Sequence, residues 1–180
     1  MSKRWPAAAT RRAMRRAQAH DMHSRYVDGI LIRPLKNGDT ATVLAVWERL
    51  GPESRRRRFG GTKTELSSAE LALLSLVDAK HHVLVAYAEG DARPAGLARL
   101  VRDGDSAEVA FEVADEQHGR GIGTALAGVL AADARAAGIN ELHATVVGDN
   151  GPAMSLLART SRRLRATWLG GERHVVAALE

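Results

Sequence analysis

The sequence contains no cysteine among its 180 residues. This absence excludes disulfide bonds, metal sites built from thiolates and a cysteine nucleophile. The seven histidines are not arranged in a metal-ligand pattern, so we expect no bound metal ion. Any catalytic chemistry must therefore use other side chains or the backbone.

Aromatic residues are also scarce, at 4% of the chain, although 45% of the residues are hydrophobic. Leu, Val and Ala must therefore fill the core. The longest strand-like apolar run, Val83 to Ala88, is far shorter than the ~18 residues that a membrane span needs. The basic N-terminus lacks the apolar segment of a signal peptide, so we expect a cytoplasmic protein without membrane attachment.

Lysine is rare as well: the chain has 4 lysines against 22 arginines, with a net charge of +5. The arginines cluster at 11–16 and at 55–58, but neither cluster is interleaved with aromatics that could stack on nucleic-acid bases. The bias towards arginine is typical of a GC-rich genome, and an anionic cofactor would account for part of the basic excess. We expect no nucleic-acid partner.

The length fits one domain with a tail, since single domains commonly have ~100–200 residues. Residues 1–28 form a basic arm in which arginines lie all round a helical stretch, so we expect it to be partly disordered or helical. Residues 29–180 form the folded domain, and their pattern predicts an α/β (α+β) fold. The order is strand, two helices, three strands, helix, strand, helix and two strands.

The predicted boundaries follow from caps, turns and apolar periodicity. Strands are expected at 30–34, 82–88, 95–101, 107–114, 142–147, 165–169 and 174–179. Helices are expected after the N-caps Asp39 and Ser67 and over 121–137 and 152–162, and residues 51–66 are expected to form a loop. The strand spacing around 82–114 is that of an antiparallel meander.

A glycine-rich turn, Q-H-G-R-G-I-G-T at Gln117 to Thr124, joins the end of this meander to a helix. Such a turn presents unpaired backbone N–H groups and the positive end of the helix dipole at one point, which suits a phosphate. Glycine keeps side chains away from that point. A P-loop would need a lysine, and a dinucleotide fingerprint would need a glycine three positions after Gly121, where Thr124 stands.

The turn resembles motif A of the GNAT superfamily of N-acetyltransferases, in which Q/R-x-x-G-x-G/A follows the fourth strand. The slot for Gln or Arg aligns with His118, and Gln117 lies one position early. In that superfamily the amides of the turn hold the pyrophosphate of acetyl-CoA. The resemblance therefore implies acetyl-CoA as cosubstrate, with contacts at Val113, His118, Gly119, Arg120, Gly121, Ile122, Gly123, Thr124 and Asn150.

Two further segments extend the resemblance to about residues 30–180. The stretch from Asn150 to Leu156 fits the later N-x-x-A-x-x-L motif, whose asparagine lies near the pantetheine arm. Pro52-Glu53-Ser54 followed by Arg58-Phe59 resembles the P-E-S…R-F loop of the bacterial protein-lysine acetyltransferase branch. The resemblance implies a GNAT-like mixed, mostly antiparallel sheet, flanked by helices and splayed at the acetyl-CoA site.

Acetyl transfer to an amine requires a base, since a lysine-type amine has a pKa of ~10.4. The strand that leads to the turn carries Glu108 and Glu112, which share a face if no bulge lies between them. Ala107 to Phe111 resembles the A-E-I-V-F strand of the histone acetyltransferase branch, whose glutamate is the general base. Glu108 is therefore the first candidate, and Glu112 is the second or a substrate-positioning residue.

A general acid for the departing thiolate is harder to identify. Leu157 stands where many relatives have a tyrosine, so water, Ser155 or Thr160 would have to take that role. The sequence predicts an N-acetyltransferase that uses acetyl-CoA and a primary amine, with protein lysine as the first acceptor. A small-amine or aminoglycoside enzyme and a non-catalytic acyl-CoA-binding module stay open, and the oligomeric state is not indicated.

Overall fold

The structure is a computed structural model that describes residues 24–179 of the chain. Within this range eight strands form one sheet in the order β1-β2-β3-β4-β5-β6-β8-β7. The strands are Arg25–Val27 (β1), Ile30–Pro34 (β2), His81–Tyr87 (β3), Pro94–Asp103 (β4), Ser106–Val113 (β5), Glu141–Val147 (β6), Arg163–Leu169 (β7) and Glu172–Ala178 (β8). The predicted basic arm lies outside the described residues except for 24–28.

Five α-helices connect the strands in the described part of the chain. They are Thr40–Trp47 (α1), Pro52–Phe59 (α2), Ser68–Leu74 (α3), Ile122–Ala136 (α4) and Gly151–Thr160 (α5), and a 3₁₀ turn spans Asp115–Gln117. All neighbouring strands pair antiparallel except β5 and β6, which are parallel. The predicted mixed, mostly antiparallel sheet is confirmed.

The sheet separates two apolar layers, because successive residues of a strand point to opposite faces. On β3, Val83 and Val85 pack with Val43 and Val46 of α1. Leu84 and Ala86, which alternate with them, pack against the long helix α4 on the other face. Helices α1 to α3 therefore cover one face of β2 to β5, which we call the α2 face. Helices α4 and α5 cover the opposite face.

The predicted caps form as the sequence indicates. The Asp39 side chain accepts a hydrogen bond from the N–H of Thr42 at the start of α1. Ser67 and Glu70 form a reciprocal capping box at the start of α3. Gly138 follows α4 with φ +74°, the left-handed conformation that ends a helix.

The prediction of a loop over 51–66 is wrong for its first half, because Pro52–Phe59 is the helix α2. Four consecutive arginines give no apolar periodicity, so the helix has no sequence pattern of the usual kind. It is supported instead by a proline in its first turn and by Glu53, which pairs with Arg56 and Arg57 three and four residues later.

The sheet begins at Arg25, ahead of the predicted domain boundary at residue 29. Strands β1 and β2 form a hairpin whose turn residues, Asp28 and Gly29, both have positive φ. An Asp-Gly pair between apolar residues is a strong hairpin signal. The boundary prediction overlooked it, because the basic residues upstream dominated the composition of that segment.

No helix in residues 24–179 is long and apolar enough to cross a membrane.

Candidate active site

A cleft opens in the sheet where β5 and β6 separate. The two strands pair only between Ser106–Glu108 and Glu141–His143. Beyond that short ladder they diverge and leave a cleft of about 840 Å³, lined by β5, the glycine turn, β6, α5 and the end of α2. The sheet is therefore splayed open, as the resemblance implied.

The edge of β5 presents free backbone groups to this cleft. The N–H of Ala114 donates to the carbonyl of Ala95, so the next pair, Val113 and Gly96, is a non-hydrogen-bonded pair of the ladder. Because hydrogen-bonded pairs alternate, the N–H groups of Val113 and Phe111 point away from β4 and towards β6. Beyond the paired segment β6 does not bond them, and they face the cleft.

The glycine turn forms the wide end of the cleft. Gly119 and Gly121 have φ of +74° and +83°, a region that glycine adopts without strain. Gly121 is the N-cap of α4 and provides no side-chain cap, so the first N–H groups of the helix have no intrahelical partner. This geometry fits an anion such as a pyrophosphate.

The side chains around the turn hold its shape. Gln117 is buried and accepts a hydrogen bond of 2.7 Å from the Arg120 guanidinium. His118 is exposed, and its Nε2 lies 3.0 Å from the carbonyl oxygen of Val113. A Cβ on Gly123 would lie 3.2 Å from Leu156, so this glycine allows α4 to pack closely against α5.

All the predicted cofactor residues except Arg120 line the cleft. Asn150 caps α5, where its Oδ1 accepts a hydrogen bond of 3.2 Å from the N–H of Ala153. Ser155 and Arg159, one turn apart on α5, line the same wall and were not among the predicted cofactor contacts. Their spacing of four residues indicates that they share one face of the helix.

Strand β5 pairs with β4 in a constant register over its whole length, so no bulge interrupts it. Glu108 and Glu112 therefore share one side of the sheet, the α2 face. Glu108 is exposed at the narrow end of the cleft, beside His143 in the last rung of the parallel ladder. Within residues 24–179 its carboxylate makes no hydrogen bond or ion pair.

Glu112 lies in a different environment at the wide end. It is 7% exposed and forms an ion pair of 2.9 Å with Nε of Arg58. The buried Arg99 guanidinium lies on the same face, and burial lowers its pKa to about 10. Two guanidinium groups thus lie near one carboxylate, which makes Glu112 a structural ion-pair partner rather than a free base.

Helix α2 lies over the region where β5 and β6 separate. It is held there by contacts that the sequence did not indicate. The Arg55 guanidinium stacks on the Trp47 ring at 4.3 Å, and Arg58 binds Glu112 on β5. At the N-terminus the N–H of Gly51 donates to Asp115 in the 3₁₀ turn, at 3.1 Å. A Cβ on Gly51 would lie 2.5 Å from that carboxylate, so a larger residue here would displace the Asp115 side chain.

Arg49 also joins this helical region to the glycine turn. It is buried, and its guanidinium donates to Glu116 and to the carbonyl of Pro94, both at 2.6 Å. Nη2 also donates to Asp91. These contacts couple the position of α2 to the loop that carries the glycine turn.

Replacing Arg58 by Ala should destabilise the fold, because it leaves the Glu112 carboxylate buried without its cation. Breaking a buried ion pair in this way costs about 3 kcal/mol. Arg56, two positions earlier on the same helix, forms an exposed pair with Glu53 and is the matched control. Urea unfolding should show a large loss for Arg58→Ala and nearly none for Arg56→Ala. Equal losses would contradict the structural role of the Arg58–Glu112 pair.

Of the side chains considered as a general acid, only the Ser155 hydroxyl remains a candidate. Thr160 donates its hydroxyl proton to helix carbonyls, and Leu157 is buried in the core. Ser155 lines the cleft.

The comparisons with known proteins agree with this geometry. The family described as Acetyltransferase (GNAT) matches residues 46–161. The chain belongs to the acetyltransferase (GNAT) family. The GNAT fold and the acetyltransferase family predicted from the sequence are confirmed.

Three similar proteins show how far the likeness extends. The Acetyltransferase Pat of Mycolicibacterium smegmatis is 34% identical over 149 residues, which cover 81% of this chain and 43% of that protein. The GNAT domain of Streptomyces lividans PAT has a TM-score of 0.75 and 25% identity, with 83% of this chain and 90% of that one covered. A Salmonella typhimurium structure solved with its cofactor acetyl-CoA has a TM-score of 0.61 at 18% identity, with 85% and 95% covered.

The two PAT proteins confirm the resemblance to the bacterial protein-lysine acetyltransferase branch. The chain spans less than half the length of the M. smegmatis relative. The Salmonella protein shares the fold.

Proposed function

We propose that this GNAT domain transfers the acetyl group of acetyl-CoA directly to a primary amine, with a protein lysine as acceptor and Glu108 as general base. The observation that carries the proposal is the position of Glu108. An exposed carboxylate without a cation partner in the described residues lies at the narrow end of a cleft whose wide end suits a pyrophosphate.

The cleft fits acetyl-CoA in three respects. The uncapped start of α4 and the turn from Gly119 to Thr124 would bind the pyrophosphate through backbone N–H groups. The cleft-facing N–H group of Val113, next to the glycine turn, would bind the pantetheine arm as an added strand binds a sheet edge. Asn150 and Ser155 line the opposite wall. When bound, acetyl-CoA supplies an activated acetyl group as a thioester.

Glu108 would accept the proton that the acceptor amine must lose before its nitrogen can form the amide bond. Free lysine amines have a pKa of ~10.4, so nearly all are protonated at neutral pH. The N–H of Phe111, the cleft-facing donor nearer to Glu108, is placed to donate a hydrogen bond to the thioester carbonyl oxygen as negative charge develops there. Ser155 or a water molecule would return a proton to the departing sulfur.

Glu112 is the weaker candidate for the base, because its carboxylate is buried and already paired with Arg58. A base has to reach the acceptor nitrogen, and an ion pair that holds α2 in place would have to break first. We therefore assign Glu112 to the positioning of α2.

The likeness to the PAT proteins supports protein lysine as the acceptor, ahead of a small amine or an aminoglycoside. The non-catalytic alternative is favoured by one observation, the buried Leu157 in place of a tyrosine acid. A thiolate is a good leaving group, so a weaker donor such as Ser155 is sufficient.

Free-thiol release from acetyl-CoA in the presence of lysine peptides, aminoglycosides or no amine tests the proposal. We expect release that depends on the peptide amine, with the acetylated lysine detectable by mass spectrometry. Turnover with aminoglycosides alone would contradict the acceptor, and tight acetyl-CoA binding without turnover on any amine would contradict catalysis.

A further inference from the structure

Three carboxylates line the cleft, and one of them has no role in the mechanism above. They are Glu108, Glu112 and Glu172. Glu112 is neutralised by Arg58, and Glu108 is the proposed base. Within residues 24–179 the Glu172 carboxylate makes no hydrogen bond or ion pair, and it is partly exposed. It therefore presents an uncompensated negative charge to the cleft.

Glu172 lies at the rim of the cleft on the acceptor side. It pairs with Val147 on β6 and with Leu169 on β7, so the three side chains form one rung of the sheet. Val147 lies four residues after His143, which is the neighbour of Glu108 on β6. Residues an even number apart on a strand point to the same face, so the rung lies on the α2 face with Glu108. Oε1 of Glu172 lies 3.8 Å from the position that a Cβ on Gly60 would take, at the end of α2.

The arginines of α2 that line the cleft are already paired. Arg57 forms an ion pair with Glu53, and Arg58 forms one with Glu112. Leu169, beside Glu172 in the rung, is 70% exposed. The rim thus combines a free carboxylate with an uncovered apolar side chain.

The length of β6 sets the distance between the base and this rim. From His143 to Val147 the strand rises four residues, or ~13 Å at ~3.3 Å per residue. An extended polypeptide covers the same distance in about four residues. A monoamine or a single lysine side chain is too short to reach both carboxylates.

We infer that Glu172 and Leu169 form a docking point for a polypeptide acceptor that carries a lysine or arginine about four residues from the lysine to be acetylated. The inference rests on the proposed function and names its acceptor more closely. The cation of the acceptor pairs with Glu172, an apolar side chain beside it packs on Leu169, and the reactive lysine enters the cleft towards Glu108. The rim therefore selects basic sequence segments.

Matched peptides test the inference with the full chain. One set carries a single lysine with arginine four residues before or after it, a second has glutamine there, and a third has arginine adjacent to the lysine. We expect kcat/KM to be about three- to five-fold higher with the distant arginine, the range of a partly exposed ion pair. Glu172→Gln should abolish this preference without changing the rate on the glutamine peptide, and Glu172→Arg should reverse it in favour of glutamate at that position.

The controls separate recognition from stability and from catalysis. Glu48→Gln, an exposed residue outside the cleft, should keep the preference. The KM for acetyl-CoA and the melting temperature of Glu172→Gln should match those of the parent. A preference that persists in Glu172→Gln would overturn the inference. Spermine as a better acceptor than every peptide would also overturn it.

Measuring peptide binding separately from acetylation distinguishes the docking point from the proposed function. Fluorescence anisotropy with the chain and coenzyme A should show salt-sensitive binding of the distant-arginine peptide that is lost in Glu172→Gln. If that binding occurs but no peptide is acetylated, the proposed function fails and the docking point stands. If peptides are acetylated without any dependence on Glu172, only the docking point fails.

Discussion

Replacing Glu108 by Gln is expected to lower kcat for peptide acetylation about 10²- to 10⁴-fold, the usual contribution of a general base. Gln keeps the size of the side chain but cannot accept the proton of the amine. The KM for acetyl-CoA should stay unchanged, because the cofactor contacts are assigned to the turn and to the edge of β5. Thiol release at saturating acetyl-CoA and peptide measures both parameters.

The pH profile distinguishes a lost base from a disturbed fold. In Glu108→Gln only acceptor amines that are already deprotonated can react, so the rate should rise about tenfold per pH unit towards the amine pKa of ~10.4. Glu65→Gln, an exposed carboxylate outside the cleft, should behave as the parent. If Glu108→Gln keeps its kcat at neutral pH, the base lies elsewhere.

Replacing Gly121 by Ala is expected to raise the KM for acetyl-CoA about 10- to 100-fold, the cost of losing charge-assisted hydrogen bonds. Gly121 has φ +83° at the N-cap of α4, where the backbone N–H groups face the cleft. A Cβ there strains the backbone that presents these N–H groups to the phosphate. Calorimetric titration with acetyl-CoA measures the affinity directly.

Gly138→Ala is the matched control, since Gly138 has φ +74° at the other end of α4 and does not line the cleft. Both variants place alanine in the left-handed region, which costs about 1 kcal/mol of stability. Only Gly121→Ala should weaken acetyl-CoA binding. An equal loss of affinity in both would mean that backbone strain, and not the phosphate cradle, explains the effect.

Local patterns were sufficient for most of the fold and for the cofactor side of the site. The glycine turn was predictable because positive φ at Gly119 and Gly121 is a property of the residue type itself. The capping box at Ser67 depends on contacts three residues apart, which spacing shows directly. Helix α2 was missed, because it is held by ion pairs and by anchors on distant segments rather than by an apolar face.

The sequence by itself determined the family resemblance, the order of the elements other than β1 and α2, and the identity of the two candidate bases. The resemblance ranked Glu108 ahead of Glu112, but the physical reason appears only in the tertiary structure, where Glu112 pairs with Arg58, 54 residues away in the chain. It likewise brought Glu172 to the rim of the cleft. Spacing along a chain encodes backbone conformation, whereas burial and charge pairing arise only when remote segments pack together.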